Sequence, residues 1–175
     1  MTLQRQKWLN TILYSLSLIM IPFLWATRAE FLPSLSAFAN QHNSIFYELM
    51  HGFAIFGYAY HWWRTRNVID LLVAIGLGGI LVFDMYNYPT LHNVITAATF
   101  IVAIFNDMYL ASNKELPLAI MRSTVGAALF LLGLAFWDVH LFFAEAMAML
   151  CVLVGRLRLV WIKNITREVS WTKIL

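Results

Sequence analysis

Residues 68–112 read VIDLLVAIGLGGILVFDMYNYPTLHNVITAATFIVAIFNDMYLAS and decide the fold. Two apolar runs, Val68–Tyr86 and Leu91–Ser112, lie on either side of the turn-like segment Asn87–Thr90, which contains a proline. Each run has the length of roughly 20 residues that a helix needs, at about 1.5 Å of rise per residue, to cross a hydrocarbon core about 30 Å thick. The segment therefore predicts two antiparallel membrane-spanning helices.

The same pattern recurs along the rest of the chain, with polar breaks such as Arg64–Asn67 and Asn113–Pro117 between the apolar runs. The predicted spans are 8–27, 44–63, 68–86, 91–112, 117–137 and 139–163, and a basic tail follows at 164–175. We therefore expect an all-α fold, in which residues 1–175 form a single transmembrane domain, a polytopic bundle of six helices.

The composition excludes several other classes of protein. Apolar residues make up 61% of the 175 residues and charged residues 12%, against about 25% charged residues in soluble domains. A soluble enzyme is excluded because so little polar surface cannot cover a globule in water. The net charge of +3 is small, so we expect no nucleic-acid partner. The single cysteine, Cys151, excludes a disulfide framework and a thiolate zinc site.

The distribution of lysine and arginine predicts the orientation of the bundle, because short loops rich in these residues stay in the cytoplasm. With the N-terminus inside, every basic residue except Arg28 falls on the cytoplasmic side. The prediction is an N-in/C-in topology: a multi-pass protein of the cell inner membrane with both termini in the cytoplasm.

Ionisable residues within the spans are the strongest functional signal, because each one costs at least about 2.5 kcal/mol near the bilayer centre. In the predicted topology, histidines and carboxylates from spans two to six gather in the outer third of the membrane. Asp138 is one of them. Their imidazoles and carboxylates suit acid–base chemistry or a divalent metal such as zinc as a cofactor. The candidate catalytic residues are Glu48, His51, Asp84 and Glu145. The candidate metal ligands are His51, His92, His140 and Asp84.

Two other interpretations of these residues stay open. Side chains within one helical turn of the interface, such as Asp84 and His92, can reach water by extending towards it. Deeper side chains can form a structural hydrogen-bond network with tyrosines such as Tyr47. The spacing of Glu48 and His51 puts both on one helical face, but this pattern occurs often by chance and does not select among the interpretations.

A second polar pair is predicted on the cytoplasmic side. Asp107 and Arg122 lie at matching depth on consecutive antiparallel helices, and a direct structural ion pair is the simplest way to hold both. A proton or ion relay is the alternative. His61 and Asp70 flank the first inner loop, and we expect them to face water.

Several short motifs are spread over the chain: Phe31–Ser36, Ser44–Phe46, the glycine-rich third span, Pro89–Asn93, Arg122 and Glu145. Together they resemble the six-span family of autophagy modulators and GPI-lipid-remodelling factors, the DRAM/Sfk type. The resemblance implies a six-helix fold and a role connected with membrane lipids.

A weaker likeness is to the alkaline ceramidase type of zinc-dependent membrane hydrolases. Ile75–Gly79 with Asp84, and Asp138–His140, are similar to segments of that superfamily. The chain departs from its HxxxH motif, because Ala144 stands four residues after His140, and that family has seven spans.

Three functions are compatible with the sequence, and it leaves open whether the chain is an enzyme. The first is lipid binding or lipid processing at the outer cluster, with metal or acid–base chemistry. The second is transport of a small solute, or the substrate-binding subunit of a transporter. The third is a non-catalytic scaffold or assembly subunit. Membrane lipids are the expected partners, together with further copies of the chain or a larger membrane complex.

Overall fold

The chain folds into helices alone over the residues that the structure, a computed structural model, describes. These are residues 3–27, 36–37, 44–111, 114, 116–135 and 137–162, without the side chains of residues 3, 129–130, 132–135, 137–144 and 162. The prediction of an all-α fold is confirmed. The helices are α1 (Leu3–Thr27), α2 (Ser44–Thr65), α3 (Val68–Val82), α4 (Pro89–Leu110), α5 (Leu116–Ala135) and α6 (Trp137–Ile162).

The helix bounds differ most from the predicted spans in α1 and α3. Helix α1 begins at Leu3, so the basic residues Arg5 and Lys7 belong to its first turns. Helix α3 has 15 residues and ends at Val82, four residues before the predicted end. It ends there because the carboxylate of Asp84 accepts hydrogen bonds from the backbone amides of Tyr86 and Asn87, both at 2.9 Å. The chain then follows a local turn instead of another helical one.

Helices α1, α2, α3 and α4 pack against one another in sequence order, and helix α6 packs against α1, α4 and α5. Helices α4 and α5 barely touch each other, and α5 is held mainly by α6. The largest buried apolar side chains that fill the bundle are Tyr14, Leu24, Tyr47, Met50, Tyr58, Val73 and Leu153.

Within the described part of the chain, two helices meet the length and apolarity needed to cross a bilayer, α1 over Gln4–Thr27 and α4 over Pro89–Leu110. Helix α3 and the stretch Leu116–Ala128 of α5 are apolar but shorter. The surface of the bundle is apolar as well, since Phe56, Phe105 and other large hydrophobic side chains are more than half exposed.

Candidate functional site

Asp70, on the first turn of α3, is the most completely bonded polar group in the described part of the chain. Its side chain is fully buried, and its two oxygens receive hydrogen bonds from four directions. Oδ2 accepts from His61 Nδ1 at 2.5 Å and from Asn67 Nδ2 at 2.9 Å. Oδ1 accepts from Asn106 Nδ2 at 2.6 Å and from Arg156 Nη2. These bonds connect α3 to α2, α4 and α6, which identifies Asp70 as a structural anchor.

The short α2–α3 connection places these groups. Arg66 adopts a positive φ of 57°, which ends α2 and reverses the chain within two residues. Asn67 then caps α3, because its Oδ1 accepts a hydrogen bond from the amide of Ile69 at 3.2 Å. The Nδ2 group of the same side chain also donates to Asn106 Oδ1 at 2.9 Å. A single capping residue therefore fixes the start of α3 and connects it to α4.

Arg156 of α6 extends the network from Asp70 to a second carboxylate. Its side chain is buried, with 2% relative exposure, and its Nε lies 3.4 Å from Asp107 Oδ1 on α4. The guanidinium carbon lies 4.5 Å from the centre of the Tyr58 ring, which adds a cation–π contact. We call the group His61, Asn67, Asp70, Asn106, Asp107, Arg122 and Arg156 the aspartate–arginine cluster.

Arg122 of α5 stands beside this network but is not bonded into it. Within the described residues, its guanidinium lies more than 4 Å from the Asp107 carboxylate and donates no hydrogen bond. Gly155 separates the two groups: a Cβ added there would overlap Asp107 Oδ2 and lie 3.1 Å from Arg122 Nη2. Attraction between Arg122 and Asp107 is therefore purely electrostatic.

A cavity of about 360 Å³ lies between α4, α5 and α6, where α4 and α5 separate. Asp107 and Arg122 line it together with Ser123. The rest of its wall is almost entirely apolar. That part of the lining consists of Ala97, Phe100, Ile101, Ile104, Gly126, Ala127, Leu131, Ala148, Cys151 and Val152. Its volume and lining are those of a small-molecule pocket, which holds a few polar groups within an apolar wall.

A second polar group lies at the opposite end of α2, α4 and α6, and we call it the histidine–glutamate cluster: Ser36, Tyr47, His51, His92, Thr96 and Glu145. His51 and His92 are both buried. Their Nδ1 atoms donate to backbone carbonyls, His51 to Tyr47 at 3.1 Å and His92 to Phe83 at 2.7 Å. The His92 Nε2 atom has no hydrogen-bond partner among the described residues.

Glu145 and Ser36 close this cluster. The backbone amide of Ser36 donates to Glu145 Oε2 at 3.3 Å, so part of the loop between α1 and α2 is held against α6. The space among Ser36, Tyr47, His51, Thr96 and Glu145 is about 20 Å³. A single water molecule needs roughly 10–15 Å³ of this kind of volume, so the space is too small for a substrate.

Other predicted site residues lie elsewhere. Glu48 is exposed on the outside of α2, and Asp84 serves the α3–α4 turn, where it also accepts from Asn87 Nδ2 at 2.8 Å. Asp138 and His140 belong to the first turn of α6, but their side chains lie outside the described residues. The structure therefore brings together His51, His92 and Glu145 from the predicted set, and separates Glu48 and Asp84 from them.

The described donors do not fit the predicted zinc site. A metal-binding histidine commonly donates its second ring nitrogen to a carbonyl, and His51 and His92 both do so. However, the Asp84 carboxylate is used by its own turn. No group of three or more His, Cys, Asp or Glu side chains that could hold a metal ion occurs in the part of the chain that the structure describes.

The cytoplasmic-side predictions need two corrections. His61 and Asp70 do not face water, because both are buried and hydrogen-bonded to each other. Asp107 pairs with Arg156 instead of Arg122, since α6 lies between the separated α4 and α5.

Sequence reasoning also missed two members of the cluster. Arg156 entered it only as one of the basic residues on the cytoplasmic side, and Asn106 did not enter it at all. A signal for Arg156 was available. It follows Val152 and Leu153 at the spacings of four and three that continue a buried helical face.

Comparisons with protein-family models, with curated proteins and with solved structures find no match to this chain. The resemblance to the DRAM/Sfk family stays a prediction.

Proposed function

We propose that the chain is a six-span membrane protein with both termini in the cytoplasm, and that it binds a single-chain lipid in the cavity between α4, α5 and α6. The proposal rests on this cavity. Its volume is about 360 Å³, most of its wall is apolar, and Asp107 and Arg122 are among its lining residues. An acyl chain suits the apolar wall, and a polar head suits the two charged side chains.

The distribution of polarity supports the membrane location. Asp70, Asn106 and Arg156 are at most 2% exposed, whereas Phe56, Phe105 and other large apolar side chains cover the outside. A protein in water buries its apolar side chains first, while a lipid-facing bundle exposes them and keeps charge inside. Two basic residues agree with the cytoplasmic placement of that end: Arg64 in the last turn of α2 and Arg66 in the α2–α3 connection.

The cavity supports lipid binding better than the histidine–glutamate cluster does. The space within that cluster is about 20 Å³, and Glu48 and Asp84 point away from it. Lipid processing by Glu48, His51, Asp84 and Glu145 stays a prediction, as do transport and a scaffold role.

Retention of a radiolabelled long-chain alcohol by the purified protein in detergent or nanodiscs tests the proposal. Ala97 and Ala127 line the cavity, and their neighbours Ala98 and Ala128 are exposed. The variants Ala97→Phe and Ala127→Phe should each lower retention at least about tenfold, because a ring fills the space that the chain occupies. The matched controls Ala98→Phe and Ala128→Phe should retain the ligand as the natural chain does.

Melting temperatures of all four variants separate loss of binding from loss of folding. Equal retention by the cavity-filling variants and their controls would overturn the proposal. A photoactivatable alcohol that labels α4, α5 or α6 in the natural chain, and not in Ala127→Phe, would support it independently.

A further inference from the structure

The two charged groups that line the cavity meet at Gly155. A Cβ added to Gly155 would overlap Asp107 Oδ2 and lie 3.1 Å from Nη2 and 3.3 Å from Nε of Arg122. The carboxylate and the guanidinium are therefore neighbours across a glycine that leaves them room, without a direct hydrogen bond between them. One small polar group can contact both.

Both side chains have bonding capacity that the described protein does not use. The guanidinium of Arg122 donates no hydrogen bond, and Asp107 Oδ1 accepts none within the described residues, with Arg156 Nε 3.4 Å away. Asp70, by contrast, is saturated by four donors. Buried polar groups in proteins are nearly always hydrogen-bonded. Asp107 is ion-paired with Arg156 but accepts no hydrogen bond from it, and Arg122 donates none among the described residues. This unused hydrogen-bonding capacity points to a ligand that carries an acceptor for Arg122 and a donor for Asp107.

The charge balance of the cluster limits the charge of that ligand. Asp70 and Asp107 offset Arg122 and Arg156, and His61 donates its Nδ1 proton to Asp70. An anionic head beside Arg122 would also face Asp107, and a cationic head beside Asp107 would also face Arg122. Either would add an uncompensated charge in a low-dielectric site, where charge interactions are strong.

We infer that the cavity binds single-chain lipids with an uncharged head that both accepts and donates a hydrogen bond, such as a hydroxyl or a primary amide. The inference rests on the proposed function, because it names the ligand class of the same cavity. The head accepts from Arg122 and donates to Asp107, and the chain extends along the apolar wall.

The test is a competition at neutral pH against the radiolabelled long-chain alcohol. The competitors share one chain length and differ in the head: alcohol, primary amide, carboxylate and quaternary ammonium. The alcohol and the amide should compete at least about tenfold better than either charged amphiphile, since like charges brought together in a site are strongly unfavourable. Equal or better competition by the carboxylate or the ammonium would overturn the inference and leave lipid binding intact. Equal retention by Ala127→Phe and Ala128→Phe would instead overturn the proposed function.

Two variants that each remove one charge give a readout that a purely structural role would not change. Asp107→Asn leaves one excess positive charge and should shift the preference towards the carboxylate by about tenfold. Arg122→Gln leaves one excess negative charge and should shift it towards the ammonium. The control Arg158→Gln, at an exposed position of α6, should keep the preference of the natural chain.

Asp107 is buried and paired with Arg156, so Asp107→Asn can fail to fold. In that case the measurement on Arg122→Gln tests the inference by itself. An unchanged preference in a folded Arg122→Gln protein would overturn the inference.

Discussion

The aspartate–arginine cluster and the histidine–glutamate cluster contain similar residue types but differ in how they are bonded. Four donors converge on Asp70 from three neighbouring helices and the α2–α3 turn. The two histidines of the other cluster donate mainly to backbone carbonyls on adjacent segments. The first cluster therefore ties the bundle together through charge, whereas the second contributes local hydrogen bonds. Among the described residues, the cavity of about 360 Å³ borders the first cluster, whereas the space within the second is about 20 Å³.

The comparison predicts that Arg156→Met has the largest effect on stability. The variant removes the cation that holds both Asp70 and Asp107 and leaves two carboxylates buried without it. Breaking a buried ion pair by removing one partner costs about 3–5 kcal/mol. Unfolding of the purified protein, followed by helical circular dichroism during denaturant titration in micelles, measures the loss.

The matched control is Arg158→Met, two residues along α6 and exposed, which should leave the free energy of unfolding nearly unchanged. Similar losses of unfolding free energy in both variants would mean that the other donors stabilise Asp70 without Arg156. The cluster would then not be the main contact that stabilises the bundle.

A smaller loss is expected from Gly155→Ala. The added Cβ would overlap Asp107 Oδ2, and Asp107 cannot move without changing its distance to Arg156. Overpacking of this kind costs about 1–3 kcal/mol, and the same micelle titration measures it.

Gly52→Ala is the control for this variant, because a Cβ on Gly52 of α2 has no neighbour within 4 Å. Alanine is favoured over glycine within a helix by about 1 kcal/mol, so this variant should be neutral or slightly more stable. A stabilising Gly155→Ala would show that the Asp107 side chain has free space to move into.

The all-helical fold was predictable because apolar runs of membrane-spanning length leave few alternatives. The first residues of two helices were predicted as well, because α2 begins at Ser44 and α3 at Val68, as their predicted spans do. The early end of α3 was harder to predict from the sequence, because it depends on the Asp84 side chain binding its own turn. A periodic pattern does not distinguish that turn from a further helical turn of apolar residues.

The site was harder to predict than the fold. Depth along a helix follows from the sequence, but direction around the helix depends on packing, and Glu48 and His51 show the difference. They lie three residues apart, yet Glu48 is exposed and His51 is buried. Asp107 and Arg122 both line the cavity, but the predicted ion pair between them is wrong, because the sequence does not indicate that α6 supplies Arg156 to Asp107.

Within the histidine–glutamate cluster, His92→Phe should cost less than either variant of the other cluster. The phenyl ring retains the volume but removes the Nδ1 donor to the Phe83 carbonyl at the end of α3. One such hydrogen bond contributes about 0.5–1.5 kcal/mol. Thermal unfolding by intrinsic fluorescence measures the loss, with Asn93→Phe at the exposed neighbouring position as the control. A loss as large as that of Arg156→Met would contradict the ranking of the two clusters.

The smallest effect is expected from Glu48→Gln, which removes a carboxylate from the exposed surface of α2. Surface substitutions usually change the free energy of unfolding by less than about 0.5 kcal/mol, and this variant should also retain the radiolabelled alcohol.

The same variant tests lipid processing, for which Glu48 was a candidate catalytic residue. If the protein turns over a lipid and Glu48→Gln abolishes turnover while retention of the alcohol persists, the chemistry lies at the α2 surface and the cavity is only a binding site. Unchanged turnover would remove Glu48 from the catalytic candidates, because a group that transfers a proton cannot be replaced by an amide without loss.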